Sequence, residues 1–355
     1  MKLALFLALA AAQWQALPVP SKASFRGLSA VDDHIVWVSG TEGTILRSTD
    51  AGKSWVALKV PKTEDLDFRG IRAFDDKTAI VMSSGPAEKG QARVYRTTDA
   101  GQHWNLVLEE KTKGAFFDAI AFWNEKHGIL VGDPVDGHFM IYTTQDAGAT
   151  WQRVAPDKFP AALANEGAFA ASNSCLAVES AGKESPGKDG TDAWFATGGG
   201  SVARVFRSTN GGEAWTAFNT PVQPSNASTG IFSLVFQGAL HGMAVGGDYQ
   251  KPDAVFPNPL VANDGGRAWH GIGVAQGRYL SSIVVAPGAP HRPGTFFAAG
   301  PGGIFSLSSA GQWVQHSDLN VNVLAFPSAR TGWAAGAKGL VARRDAEPAA
   351  SVQKK

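Results

Sequence analysis

The sequence is poor in the residues that carry metal, redox or nucleic-acid chemistry. It has one cysteine, eight histidines and a net charge of +1 in 355 residues, of which 18% are charged. The single Cys175 cannot form an internal disulfide, and its neighbours offer no activating base, so we expect a buried core thiol. The chain shows no zinc-ligand spacing, no dinucleotide fingerprint and no basic stripe that could neutralise phosphates. We therefore expect no metal, no cofactor and no nucleic-acid partner.

Long apolar runs are also rare, and the clearest one stands at the N-terminus. After Met1-Lys2, ten apolar residues end in small side chains, a pattern typical of a signal peptide and too short to span a bilayer. We predict a signal peptide over residues 1–12, a periplasmic or secreted protein, and no transmembrane segment. The alternative is that this run forms the buried start of the first strand. No cysteine follows the run, which excludes a lipid anchor at that site.

The abundant residues are glycine and tryptophan, with 41 and 11 copies, and many of them belong to one repeated phrase. The phrase Ser-Thr-Asp-Ala-Gly-Lys-Ser-Trp at residues 48–55 recurs with spacings of 44–64 residues between its tryptophans, and a worn sixth copy lies at 308–313. Repeats of this period indicate a propeller, solenoid or array. The five clear copies carry these Asp or Asn and Trp residues: Asp50 and Trp55, Asp99 and Trp104, Asp146 and Trp151, Asn210 and Trp215, Asp264 and Trp269.

Each copy lies between two β-rich stretches and therefore predicts a hairpin turn. The Asp or Asn side chain can accept hydrogen bonds from backbone N–H groups two residues on, and the glycine supplies a positive φ. The tryptophan is large enough to anchor the hairpin in the core. Copies spread around a ring cannot share one active site, so we interpret these residues as structural.

The repeat unit matches the length of a four-stranded blade, and six units precede an incomplete seventh. The seventh has strands near 322–326, 332–336 and 339–343 but no fourth strand. The missing strand is predicted at the N-terminus, because the stretch from Trp14 to Pro20 resembles that from Trp55 to Pro61. We predict an all-β, seven-bladed propeller over residues 13–345, monomeric, with its last blade closed by the N-terminal strand, and a flexible tail over 346–355.

Strand alternation places the loops that enter each inner strand on the face opposite the repeated turns. Loops between second and third strands share that face, and we predict that the insert Ser180–Ser201 is one of these loops. Converging polar groups at the mouth of such a ring favour a binding site, whereas the alternative is ion pairs between blades and tight turns. His127 and His241 fall on the other face, where we expect no metal. The candidate binding residues are Arg26, Arg69, Asp118, Asp133, Asp136, Glu166, Asp248 and Tyr249.

The repeated phrase is the Asp-box, or BNR repeat, of sialidase-type propellers. Together with the stretch Gly-Ile-Leu-Val-Gly-Asp at 128–133 and the N-terminal closing strand, it resembles the propellers of the photosystem II stability/assembly factor family. The resemblance covers nearly the whole chain after residue 12. It implies an exported seven-bladed scaffold without enzyme activity that binds a protein partner. From the placement of the loops and charges, we expect the partner, or a small anionic ligand, on the face opposite the Asp-boxes.

The rival interpretation is a sialidase-like glycoside hydrolase. That chemistry needs three arginines around a carboxylate, a Tyr–Glu nucleophile pair and an aspartic acid. The Arg-Ile-Pro signature is replaced by Phe25-Arg26-Gly27, and only four tyrosines are present. Arg26 and Arg69 could be two members of a carboxylate clamp, but the third is not identifiable. We therefore predict that the protein is not an enzyme.

Overall fold

Seven four-stranded antiparallel sheets form the blades of a propeller, and their inner strands contact one another in sequence around a ring. The computed structural model describes residues 13–179, 191–272, 278–288 and 294–345. The predicted signal peptide and tail fall outside these ranges. Two single-turn 3-10 helices occur within the described residues, at Ala87–Lys89 and Pro156–Lys158.

The strands run outward from the ring centre in chain order in blades one to six. Blade one holds β2 (Phe25–Ala30), β3 (Val36–Gly40), β4 (Ile45–Ser48) and β5 (Val56–Leu58). Blade two holds β6 (Phe68–Ala73), β7 (Ala79–Ser83), β8 (Arg93–Thr97) and β9 (Asn105–Glu109). Blade three holds β10 (Phe117–Phe122), β11 (Gly128–Val135), β12 (His138–Thr144) and β13 (Gln152–Arg153). Blade four holds β14 (Leu176–Val178), β15 (Ala193–Ala196), β16 (Arg204–Ser208) and β17 (Thr216–Asn219).

The remaining blades follow the same order, except that the last one takes its outer strand from the other end of the chain. Blade five holds β18 (Thr229–Gln237), β19 (His241–Asp248), β20 (Leu260–Ala262) and β21 (His270–Gly271). Blade six holds β22 (Ser282–Ala286), β23 (Thr295–Gly300), β24 (Gly303–Leu307) and β25 (Trp313–Ser317). Blade seven holds β26 (Val321–Ala325), β27 (Thr331–Gly336), β28 (Val341–Asp345) and β1 (Gln15–Leu17).

The ring closes as the sequence predicted. Strand β1 pairs antiparallel with β28, with Gln15 opposite Arg343 and Leu17 opposite Val341. Trp14 packs edge-on against Phe326 at 5.9 Å between ring centroids and is 8% exposed. The prediction of seven four-stranded blades with an N-terminal closing strand is confirmed.

The Asp-box turns are hairpins whose side-chain oxygens bind the backbone. In the first copy Asp50 Oδ1 accepts from the N–H of Ser54 at 2.9 Å, and the Ser48 hydroxyl accepts from the Gly52 N–H at 2.9 Å. The Asp therefore accepts from the residue four positions on, and the expectation of two positions was wrong. The positive φ is shared by two consecutive residues, since Ala51 has φ 64° and Gly52 has φ 81°.

The tryptophans of these turns pack edge-on against aromatic rings of the second or first strand. Trp55 lies 6.3 Å from Trp333 of blade seven, and Trp215 lies 5.1 Å from Phe195 of its own blade. Some of these contacts therefore join neighbouring blades, which buries apolar surface that a single sheet would leave exposed. Cys175 is fully buried among such residues, and burial raises the pKa of its thiol.

The insert Ser180–Ser201 does not join the second and third strands of blade four. Ala193–Ala196, within that range, is itself the second strand, so the extra residues separate the first strand from the second. The described ends of this connection, Glu179 and Thr191, adjoin the Asp-box side, where the Thr191 carbonyl accepts from the Gly211 N–H at 2.9 Å. Residues 180–190 lie outside the described residues.

Candidate functional site

A recurrent β-bulge near the start of the inner strand creates the site. In blade one Phe25 pairs with Gly40 and Gly27 with Ser39, which leaves Arg26 without a partner on β3. A bulge places one extra residue against the partner strand and re-aims its side chain. The same shift occurs in blades two, three, five and seven. The five bulged residues are Arg26, Arg69, Asp118, Phe232 and Asn322.

Glycines on the second strands make room for the bulges of blades one, three, five and seven. A Cβ on Gly40 would lie 2.1 Å from the carbonyl oxygen of Ser24, and one on Gly336 would lie 2.3 Å from that of Asn320. Both distances are far below van der Waals contact, so the close backbone approach requires glycine.

All five bulged side chains line one cavity of about 520 Å³ at the ring centre, on the face opposite the Asp-boxes. A cavity of this size suits a few residues of a peptide or a small ligand. Aromatic rings form part of its wall: Phe169 and Phe232 stack at 3.8 Å, and Tyr279 lies 4.8 Å from Phe232. The other described lining residues are Phe116, Asp133, Ala168, Ala170, Ala171, Tyr249 and Pro301.

Residues 167–174, which we call the central segment, cross the middle of the ring beneath this cavity. Gly167 exchanges two backbone hydrogen bonds with Gly198 of blade four, at 2.9 and 3.1 Å. The side-chain amide of Asn173 accepts from the Ile120 N–H at 2.8 Å and donates to the Ile120 carbonyl at 3.0 Å, in blade three. The Ser174 hydroxyl donates to Ser233 of blade five at 2.7 Å. The central segment therefore fixes the floor of the cavity.

The two arginines of the cavity are anchored to the central segment. Arg26 donates to the carbonyl of Ala171 at 3.2 Å, and Arg69 donates to that of Ala170 at 3.3 Å. Arg69 also pairs with Asp67, two residues away, at 2.7 Å. Burial, and then the neighbouring Arg69, lower the pKa of Arg26. No described ion pair joins either arginine to a neighbouring blade, so the geometry does not match the ion-pair alternative for these two.

Asp118 and Asp133 bring two carboxyl groups to the same cavity from adjacent strands. Burial, reinforced by the charge of Asp133 and opposed by Arg69, raises the pKa of Asp118 well above its usual range. Burial also raises the pKa of Asp133 from 3.8 to about 6, although its Oδ1 accepts from the Ala168 N–H at 3.0 Å. Asp118 is only 1% exposed.

Glu166 lies away from the central cavity, and its carboxylate is already bound. It accepts from Arg204 Nε at 2.8 Å and from the Thr197 hydroxyl at 2.7 Å, and it pairs with the Arg204 Nη2 as well. Its side chain is fully buried. It also stands ten residues before β14, the inner strand of blade four, and so does not lie at the entrance of that strand. The geometry is that of a structural ion pair within blade four.

The other three candidates occupy the rim or its turns. Asp136 is exposed in the β11–β12 hairpin with φ 52°. Asp248 is buried; burial opposes its ionisation, but hydrogen bonds from Ser228 and Asn226 lower its pKa to about 2. It therefore organises a turn. Tyr249, beside it, is 49% exposed and reaches the cavity.

Sequence reasoning missed the central segment and its Phe169, although a signal was present. Leu176 opens the inner strand of blade four 25 residues after Trp151, whereas Phe117 follows Trp104 by 13. The excess chain lies before the inner strand, where it reaches the ring centre. Sequence reasoning also missed Phe232 and Asn322. The signal for these two bulges is the glycine on the neighbouring second strand, Gly246 and Gly336 respectively.

The described residues contain no group of three or more His, Cys, Asp and Glu side chains placed to hold a metal ion. Over the same ranges, no helix has the length and apolar character needed to cross a bilayer. A smaller cavity of about 130 Å³ lies among the Asp-box turns, beside His127 and Asn210.

The fold and the turns define a seven-bladed Asp-box propeller with a central cavity on the opposite face. Residues 7–155 match the model of the family described as photosynthesis system II assembly factor YCF48. The predicted resemblance to this family is therefore confirmed. No curated protein matches the sequence.

Solved structures show the same fold at low sequence identity. YCF48 bound to D1 peptide superposes with a TM-score of 0.66 and 17% identity, covering 95% of this chain and 96% of that one. YCF48 from Cyanidioschyzon merolae superposes with a TM-score of 0.59 and 15% identity, covering 95% of this chain and 100% of that one. The WD40 β-propeller domain of Doa1 superposes with a TM-score of 0.59 and 10% identity, covering 95% of this chain and 98% of that one.

Proposed function

We propose that this protein is a non-catalytic scaffold that binds a segment of a partner protein in the central cavity and serves the assembly or stability of a protein complex. The partner segment presents an acidic group to Arg26 and Arg69, and an apolar side chain to the aromatic wall. The protein acts as a monomer and outside the cytoplasm.

The observation that carries this proposal is the convergence of five bulged side chains from five blades on one cavity. Bulges interrupt regular pairing and are over-represented beside functional sites. Two guanidinium groups in a half-enclosed cavity attract a carboxylate, and partly buried arginines and tyrosines are frequent hot spots of protein interfaces. A small cavity next to a broad loop face suits a short segment held in the cavity with further contacts around its rim.

The similarity to known structures supports a protein partner. The solved relative with 17% identity is described as bound to D1 peptide, which shows that a propeller of this shape can hold a peptide. Export is supported by the apolar run at residues 3–12 and by the presence of a single cysteine. Sequencing the N-terminus of the protein purified from its native host tests the export step.

The first experiment measures partner capture from the native envelope fraction with the variant Arg26→Gln combined with Arg69→Gln. Removing both charges should reduce the captured partner strongly, because each arginine of such a site is often worth about 2 kcal/mol or more. A modest drop in melting temperature is expected as well, since both side chains hold the central segment.

The matched control removes two positive charges from the other face. Lys53→Gln combined with Arg267→Gln changes exposed side chains in Asp-box turns and should leave capture unchanged. Equal loss of capture in both double variants would contradict the proposal, because it would show that net charge alone governs binding.

The glycosidase interpretation lacks its central residues in this cavity. Among the described residues, no glutamate and no third arginine lines it, and Glu166 is held by Arg204. We expect no turnover of chromogenic sialosides or other aryl glycosides. Turnover that is abolished by Asp133→Asn or Tyr279→Phe would overturn the scaffold proposal.

A further inference from the structure

Asp118, which is buried, and Asp133, which is partly buried, are two acids that the anion-binding role of the cavity does not use. Both lie at bulges of adjacent strands, Asp118 in the β10–β11 ladder and Asp133 in the β11–β12 ladder. Asp118 is 99% buried, and its Oδ2 has no hydrogen-bond partner among the described residues. A buried carboxyl oxygen without a donor costs free energy, so Asp118 is left uncompensated, whereas Asp133 keeps one hydrogen bond from the Ala168 N–H.

The charged and titratable groups around the pair do not satisfy it. The charge of Arg69 opposes the rise in the pKa of Asp118, but the hydrogen bonds of Arg69 go to Asp67 and to the Ala170 carbonyl. No described salt bridge includes Asp118 or Asp133. The remaining groups of this kind that line the cavity or adjoin the pair are Arg26, Glu166, Cys175, Tyr249 and Tyr279.

Asp133 stands where two cavities meet. The central cavity and a second one of about 360 Å³ share Asp133, Ala168 and Phe169 in their walls. The second cavity extends toward blades four and five and is lined by backbone at Gly167, Gly198 and Gly199 among others. An extended chain that leaves the central cavity along this path passes the Asp133 carboxyl.

We propose that Asp118 and Asp133 form a cation subsite that receives an ammonium or guanidinium group from a lysine or arginine of the partner segment. The inference rests on the proposed function and specifies its ligand: an extended segment with an acidic group at Arg26 and Arg69 and a basic residue at the acid pair. Charge complementarity across the two cavities is the observation that selects this occupant.

Binding of the cation is coupled to loss of a proton. In the free protein the pKa of Asp133 is about 6, and an opposite charge nearby favours its ionised form. The partner therefore displaces a proton near pH 6, and its affinity rises as the pH is raised through this range. Both effects require the acid pair.

The binding test uses synthetic peptides acetylated at the N-terminus and amidated at the C-terminus, with one glutamate and one lysine separated by one to four alanines. Matched peptides carry norleucine in place of lysine. At the best spacing, lysine should improve affinity roughly tenfold over norleucine, since a hydrogen bond to a charged group is worth about that factor. Asp133→Asn should abolish the preference, and Asp136→Asn, in the exposed turn nearby, should retain it.

A second measurement needs no peptide and separates this inference from the proposed function. Methylguanidinium chloride is titrated into the protein while the carboxyl carbon resonances of Asp133 and Asp118 are followed by NMR as a function of pH. The Asp133 midpoint should move to lower pH with methylguanidinium but not with equal sodium chloride. An unchanged midpoint, or a lysine preference that survives in Asp133→Asn, overturns the cation subsite. If methylguanidinium shifts the midpoint while no peptide binds, the proposed function fails and the subsite stands.

Discussion

The acid pair makes a quantitative prediction about stability, and Asp133→Asn tests it. The asparagine keeps an oxygen that can accept from the Ala168 N–H but removes the charge. The pKa rises from 3.8 to about 6 on folding, which corresponds to about 3 kcal/mol at about 1.4 kcal/mol per pKa unit. The folded state therefore binds a proton more readily than the unfolded chain, and ionisation of Asp133 costs stability.

The direction of this pKa shift determines the pH range in which the wild type and Asp133→Asn differ in stability. Well below pH 4 the carboxyl is protonated in both states, and the variant should match the wild type. As the pH rises from 4 through 6, the wild type should lose stability that Asp133→Asn retains, and above pH 7 the variant should be more stable by up to about 3 kcal/mol. Urea unfolding at pH 3.5, 5, 6, 7 and 8 measures the difference.

The control for this experiment is a second aspartate, in an exposed turn. Asp136→Asn alters an exposed carboxyl in a hairpin turn and should change stability by less than about 0.5 kcal/mol at every pH. A difference between Asp133→Asn and wild type that does not depend on pH would refute the reasoning, because it would place the effect in packing and not in ionisation.

Three further outcomes are expected. Trp215→Ala should cost about 3–5 kcal/mol in urea unfolding, as for other large core truncations, yet leave peptide affinity of the folded protein unchanged. Arg204→Met should cost about 3–5 kcal/mol because it leaves the buried Glu166 unpaired, and adding Glu166→Gln should restore most of the loss. Asn173→Ala should cost about 2 kcal/mol by removing two hydrogen bonds, and faster hydrogen exchange at the Ile120 amide would show it.

The sequence predicted the architecture because the fold is built from a repeated local signal. Each Asp-box marks the same hairpin, so counting copies and matching the stretch after Trp14 to that after Trp55 gave both the number of blades and the ring closure. Strand alternation alone predicted which face of the propeller carries the cavity, and it predicted several of the lining residues. Those that reach the cavity are Arg26, Arg69, Asp118, Asp133 and Tyr249.

What could not be predicted depends on contacts between residues distant in sequence. The bond of Glu166 with Arg204 spans 38 residues, and the central segment is positioned by side chains from several blades. Neither leaves a periodic trace in the sequence. The bulges are an intermediate case, since the second-strand glycines such as Gly40 and Gly336 are visible but their steric cause appears only in three dimensions.

The pairing of β1 with β28 has a consequence for the order in which the molecule is completed. Gln15 and Arg343 are neighbours in the last blade, so their pairing closes a loop of almost the whole chain, at an entropic cost of about 5 kcal/mol from the logarithmic length dependence. Until then β28 presents an open hydrogen-bonding edge, the kind of edge that recruits strands from other molecules. The first strand of a second chain satisfies the same edge equally well. Refolding at high concentration therefore favours dimers that exchange their N-terminal strands, whereas dilution favours the closed single ring.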